Sequence, residues 1–143
     1  MTEVNRSALV LHTAEQMFDL INDVRHYPEF LPGCVRTEVI RETDSEIEAT
    51  LYLAKAGLKY SFTTRNQLQR PKRMEIALVE GPFSSFSGTW VLTPLSEEAC
   101  KVEFTLKFEF KGSLTSMAMN KLFNSVATSM VEVFVERADK VYG

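Results

Sequence analysis

From Cys100 to Lys111 apolar and polar residues alternate without a break. Cys100, Val102, Phe104, Leu106, Phe108 and Phe110 are apolar, and Lys101, Glu103, Thr105, Lys107, Glu109 and Lys111 between them are polar. A period of two over that length predicts a long antiparallel strand with one dry face and one wet face. After Gly112 the spacing changes to three and four: Met119, Leu122, Phe123, Val126, Met130, Val133, Phe134 and Val141. That stripe predicts an amphipathic helix, about 40 Å long if it runs from Ser116 to Tyr142 at about 1.5 Å per residue.

The rest of the chain reads by the same rule. Asn5 to Leu11 is a short strand, and Thr13-Ala14-Glu15-Gln16 opens a helix with a capping box. Ala14, Met17, Phe18 and Ile21 form its apolar face, and Asn22-Asp23 interrupts it. A second helical turn spans Arg25 to Phe30, ended by Pro32 and Gly33. Strands follow in series. Ile47, Ala49, Leu51 and Leu53 share one face, as do Leu58, Tyr60, Phe62, Thr64, Asn66 and Leu68. Met74, Ile76 and Leu78 line the next, and Phe86, Gly88, Trp90 and Leu92 the one after. Gly57, Arg70-Pro71-Lys72, Gly81-Pro82 and Pro94 to Glu98 supply the turns, so the strands form an antiparallel meander. The fold class is α+β: an antiparallel sheet wrapped around a long C-terminal helix, with two short N-terminal helices.

A sheet curled around a helix can enclose an apolar cavity. We expect one of about 300–1,000 Å³, the usual size of a small-molecule site. Its walls are expected from Leu58, Tyr60, Phe62, Phe104, Leu106 and Phe108 opposite Leu122, Val126, Met130 and Val133. Thr64 and Asn66 are polar residues on that face: either a few hydrogen-bonding groups in an apolar wall, or residues near a strand end where the sheet is wet. Phe83 and Trp90 join the candidate contacts, Phe83 from an aromatic turn that either caps the core or gates a pocket mouth.

Composition narrows the class. A chain of 143 residues fits one domain, 1–143, large enough to hold a core without staples. Two cysteines make no disulfide framework and fit a cytoplasmic protein with reduced thiols. Cys100 falls on the dry face of its strand, whereas Cys34 follows a turn and is expected to be partly exposed. No apolar run reaches the ~20 residues of a membrane span, and the first residues lack the pattern of a signal peptide. The net charge of −3 gives no global field for DNA. One basic hairpin, Arg65, Arg70, Lys72 and Arg73, stands out on this acidic chain. Its plainer reading is a solvated turn.

Catalytic chemistry finds little support. His12 and His26 are the two histidines, and neither has a partner at metal-ligand spacing. No catalytic residue, metal or cofactor is assigned.

Several segments, in order, carry a resemblance: Ser7-Ala8-Leu9-Val10, Thr13 to Met17, Tyr27-Pro28-Glu29-Phe30-Leu31-Pro32-Gly33-Cys34 and Phe62-Thr63-Thr64-Arg65-Asn66. Gly81-Pro82-Phe83, Gly88-Thr89-Trp90, Thr93-Pro94-Leu95, Glu98-Ala99-Cys100, Phe108-Glu109-Phe110, Arg137-Ala138 and Val141-Tyr142 continue it. Over essentially its whole length the chain resembles the START-like family that contains ribosome-association toxins and mitochondrial coenzyme-Q-binding proteins. It departs at Met119-Asn120, where similar proteins carry Phe-Gly. The resemblance implies a helix-grip fold and ubiquinone or another prenyl lipid as ligand in support of respiration. An enzyme of the polyketide cyclase type that shares this fold is the least favoured reading, because the candidate pocket lacks a convincing acid–base pair, and the expected protein is non-enzymatic. The resemblance equally implies a partner, the large ribosomal subunit, whose joining to the small subunit is blocked. On that second implication the basic hairpin becomes the candidate ribosome contact.

Overall fold

The computed structural model describes residues 1–112 and 114–143, the side chains of 114–116 excepted. The elements are β1 (Thr2–Val10), α1 (Ala14–Ile21), a short 3-10 helix (Val24–Glu29), β2 (Cys34–Glu42), β3 (Glu46–Lys55), β4 (Leu58–Gln69), β5 (Arg73–Glu80), β6 (Phe83–Pro94), β7 (Cys100–Phe110) and α2 (Leu114–Tyr142). The strands form one seven-stranded sheet in the order β1-β7-β6-β5-β4-β3-β2, antiparallel throughout. Each strand from β2 to β7 pairs with the next. β1 then closes on β7, so the N-terminal strand shares an edge with the strand that feeds α2. At 29 residues α2 spans about 43 Å, using about 1.5 Å per residue. The helix-grip architecture is as expected.

Local chemistry accounts for the boundaries. Thr13 Oγ1 accepts from the Gln16 amide and the Gln16 side chain accepts from the Thr13 amide, so the capping box is complete. Ala14, Met17, Phe18, Leu20 and Ile21 of α1 are buried. Gly33 and Gly57 sit at positive φ in their turns, where an L side chain would be strained. The even residues of β7, from Cys100 to Phe110, are buried, and Lys107 and Glu109 are exposed.

β2 is the element that periodicity did not announce. It is an edge strand with two register irregularities, and most of its residues are exposed, Val35 and Ile40 among them. Bulges break the alternation that a sequence pattern needs. Cys34, at its start, is buried rather than partly exposed; burial pushes its thiol up to about 11, and Sγ lies 3.7 Å from the Arg36 carbonyl. It packs beneath the 3-10 helix, which lies against β2. The helix stripe also differs in detail. Phe123, Val126, Ala127, Val131, Phe134 and Ala138 are the buried positions, while Leu122 and Val133 are half-buried and Val141 is exposed.

His12 bridges distant elements, whereas His26 makes exposed local contacts. His12 Nε2 lies 2.8 Å from Asp139 Oδ1, and its ring rests against Tyr142, which joins the β1–α1 connection to the far end of α2. His26 Nδ1 lies 2.8 Å from Asp23 within the 3-10 segment.

Candidate ligand cavity

Two aromatic clusters divide the interior. Phe123 of α2 sits in one. Phe108 meets it edge-on at 4.8 Å, and Phe62, Phe83 and Phe86 lie around it. Phe83 stacks on Phe110 at 4.3 Å. Phe134, eleven residues further along the same helix, anchors the other. Trp90 packs edge-on to it at 5.5 Å while stacking on Phe104 at 4.3 Å, and Tyr27 and Phe30 close over it.

Between the clusters the side chains are shorter. α2 presents Val126, Ala127 and Met130, and the sheet opposes them with Ala49, Thr64 and Asn66. Ala49 pairs directly with Thr64, and Ile47 with Asn66, so the short positions are neighbours across β3 and β4. The backbone of α2 packs mainly against β1 and β7. Short residues facing short residues, on the side of the sheet away from the helix contact, leave a cavity of about 80 Å³. Met74 and Ile76 of β5, Leu106 of β7, and Val24, Tyr27 and Leu31 from the 3-10 region complete its wall.

The volume falls below the expected 300–1,000 Å³. The rings of Phe62, Phe86 and Phe123 reach in from one end, and Trp90 and Phe104 from the other. A cavity that holds a benzene ring measures about 150 Å³, so the resting space takes about two waters rather than a ring. Met74 and Met130, unbranched and able to change rotamer at low cost, are the wall residues best able to yield.

Asn66 is the polar feature of this wall. It is 8% exposed; among the described residues its Nδ2 reaches only the Met74 sulfur, at 3.7 Å, and its Oδ1 is out of solvent contact with no donor. Thr64 is buried beside the cavity as well. Asn66 and Thr64 therefore lie inside the sheet, not at a wet strand end. Among the described residues, Tyr27 is the one titratable side chain of the wall. Its hydroxyl donates to the Ile21 carbonyl, and burial drives its pKa well above the ordinary phenol value.

Of the residues singled out from sequence, Phe62, Thr64, Asn66, Trp90, Phe104, Leu106, Val126 and Met130 line the cavity. Leu58, Tyr60, Phe83, Phe108, Leu122 and Val133 do not. Phe83 and Phe108 are consumed by the Phe123 cluster, Tyr60 lies edge-on to Phe110 at its margin, and Leu122 is half-buried on the helix flank. Ala49, Leu51, Leu53, Met74 and Ile76 share the inward parity of strands flanking β4, and that parity was the signal for them. Val24, Tyr27 and Leu31 carry no such signal, because the 3-10 segment has no long period to read. Asn120 is turned away from the cavity, in hydrogen-bond reach of Thr2 on β1 at 3.3 Å.

The basic hairpin is largely neutralised. Arg65 is held by Glu46 and Glu48, Arg70 grips Asp19 of α1 with two bonds of 2.8 Å, and Arg73 pairs with Glu75 at 2.9 Å. Among the described residues, Lys72 has no ion pair. Also among them, no group of histidines, cysteines and carboxylates is placed to hold a metal ion, and no helix is long and apolar enough to cross a membrane.

Comparison with known proteins agrees with this architecture. The family described as polyketide cyclase / dehydrase and lipid transport matches residues 10–135. The chain is 47% identical to the ribosome association toxin RatA of Vibrio cholerae over 143 residues, covering 100% of this chain and 99% of that one. It is 26% identical to the mitochondrial coenzyme Q-binding protein COQ10 homolog B of Xenopus laevis, covering 99% of this chain and 59% of that protein. Among solved structures, the Zhui aromatase/cyclase of a Streptomyces species superposes with a TM-score of 0.85 at 16% identity, covering 99% of this chain and 96% of that one. At that identity the likeness is one of fold.

Proposed function

The chain belongs to the START-like polyketide cyclase / dehydrase and lipid transport family, among its RatA-like members, and we propose that it is a non-enzymatic carrier of a prenyl quinone or similar hydrophobic ligand, cytoplasmic and supporting respiration. The observation that carries this reading is the cavity itself: an apolar hollow inside the grip with one incompletely satisfied amide in its wall. Each buried methylene of a ligand tail contributes about 0.8 kcal/mol before ordering costs. The coenzyme Q-binding relative supports the choice of ligand class. Because the resting space is smaller than a ring, binding proceeds by displacement of Met74 and Met130 rather than by entry into a preformed slot.

A cyclase role is disfavoured by the wall chemistry. Acid–base catalysis needs a group that can give and take a proton near neutral pH. Tyr27, the titratable group of the wall, is locked to a backbone carbonyl with its pKa displaced upward.

Trp90 is the single tryptophan of the chain and lines the cavity, so it reports occupancy directly. Titration with a short-chain ubiquinone should quench its fluorescence saturably. Quenching that rises linearly with concentration, as in a denatured control, would falsify the quinone reading.

A second reading follows from the RatA relative: binding to the large ribosomal subunit and inhibition of its joining to the small one. Its electrostatic route through the hairpin is weaker than composition suggested, because Arg65, Arg70 and Arg73 already face carboxylates. RNA phosphates would have to replace them. Co-sedimentation with large subunits at two salt concentrations tests the reading, since phosphate contacts weaken steeply with salt. A chain that stays at the top of the gradient at low salt lacks the ribosomal role. Equal binding by an Arg70→Glu, Lys72→Glu variant keeps the role and moves its site elsewhere.

A further inference from the structure

The quinone reading, on which this inference rests, places a ring with two carbonyls in the cavity. Carbonyls are acceptors, so a wall built for them should offer donors. The wall here has a further need besides donors: an acceptor of its own stands unpaired. The amide nitrogen of Asn66 is turned to the Met74 sulfur, and the exchanged orientation would set the carbonyl oxygen against that sulfur, two acceptors face to face. The atom left over is Oδ1, an acceptor with no donor and out of solvent contact. Burying such a group without a partner is unfavourable by about 1–3 kcal/mol in general. Little else in the wall can relieve it. Among the described lining side chains, Tyr27 and Thr64 carry a hydroxyl; the Tyr27 hydroxyl is committed to Ile21, and the Thr64 hydroxyl does not reach Oδ1.

We propose that the ligand's buried end carries a hydroxyl that donates to Asn66 Oδ1, so that the cavity takes the hydroquinone or phenol form of a ring in preference to the carbonyl form. A ligand entering so small a space must shift Met74, the same side chain that fixes the Asn66 amide. Its arrival frees the amide nitrogen as well, so a hydroxyl can donate to Oδ1 while its own oxygen accepts from Nδ2. A quinone carbonyl can accept from Nδ2 in the same place but leaves Oδ1 as it was.

The test uses a redox-inert pair, 4-hexylphenol and 4-hexylanisole, which differ in whether the ring oxygen carries a proton. Titrate each into wild type and Asn66→Leu by calorimetry, with thermal melts to establish that the variant is folded. Wild type should bind the phenol about tenfold more tightly, the usual worth of one buried hydrogen bond. Asn66→Leu should bind the two alike. Equal affinities in wild type would overturn this inference while leaving ligand binding intact, and would point to a water on Oδ1 instead. A phenol preference that survives in Asn66→Leu would remove Asn66 from the role. If wild type binds neither probe, the cavity reading fails together with the inference.

Discussion

Around Phe123 and around Ala127, α2 passes over the same sheet one turn apart, with opposite results. At Phe123 the sheet sends up Phe62, Phe83, Phe86 and Phe108, and the rings interlock at 4.8 to 6.3 Å. At Ala127 it sends up Ala49, Thr64 and Asn66, and the layers fail to meet. Side-chain length separates the two places, on a side of the sheet where the helix backbone packs least closely. One region stores stability and the other stores room, and neither needs a special loop or lid to do so. The contrast also explains the small volume, because the packed region lends its rings to the end wall of the hollow one.

The largest effect should come from the packed side. Phe123→Ala removes the ring at the centre of its cluster and should cost about 3–5 kcal/mol in chemical denaturation. Met130→Ala, beside the hollow, should cost less than that, since part of its surface already faces empty space. Equal losses would erase the distinction between the two regions.

Adding volume reverses the test. Ala138 is fully buried in the packed end of α2. Ala138→Leu should destabilise by about 1–3 kcal/mol through overpacking. Ala127→Leu points its extra carbons into the cavity, should leave stability within about 1 kcal/mol of wild type, and should abolish Trp90 quenching by quinone. A comparable loss at both positions would mean that the hollow cannot accept three further carbons.

Asn66→Leu addresses the polar atom of the hollow wall. With no ligand present, removal of an orphaned acceptor should raise stability by about 1 kcal/mol or more. A clear loss instead would show that Oδ1 is satisfied in solution, and would weaken the case for a ligand donor there.

How much of this was legible follows from what periodicity can carry. The strand from Cys100 and the helix after it were plain because each repeats one period over many residues. The inward face of β4 was plain for the same reason, and with it Phe62, Thr64 and Asn66. β2 was not, because an exposed, bulged edge strand has no dry face to reveal it. Phe83 and Phe108 looked like ligand contacts because parity tells which face a residue joins, but not whether its neighbours fill the space around it. The ion pairs of the hairpin were out of reach for another reason. Arg70 meets Asp19 across 51 residues of sequence, a pairing that no local pattern encodes.

That pair sets the smallest expected effect. The β4–β5 hairpin carries Asn66, Met74 and Ile76 of the cavity wall, on the side where α2 packs least closely. Its tip is tied to α1 by Arg70 on Asp19, both exposed. If interior packing alone holds the wall, a double-mutant cycle of Asp19→Ala and Arg70→Ala should show a small coupling, below every interior effect above. Exposed pairs give little, because each charge exchanges good hydration for a screened attraction. The coupling should fade in 1 M salt, where the Debye length is about 3 Å. The same variants should leave the saturable quenching of Trp90 unchanged. A coupling that matches the interior substitutions, or a loss of saturable binding in Asp19→Ala, would mean that the hollow region is held open from outside by the α1 clamp. Its difference from the Phe123 region would then lie in how each is braced as well as in side-chain length.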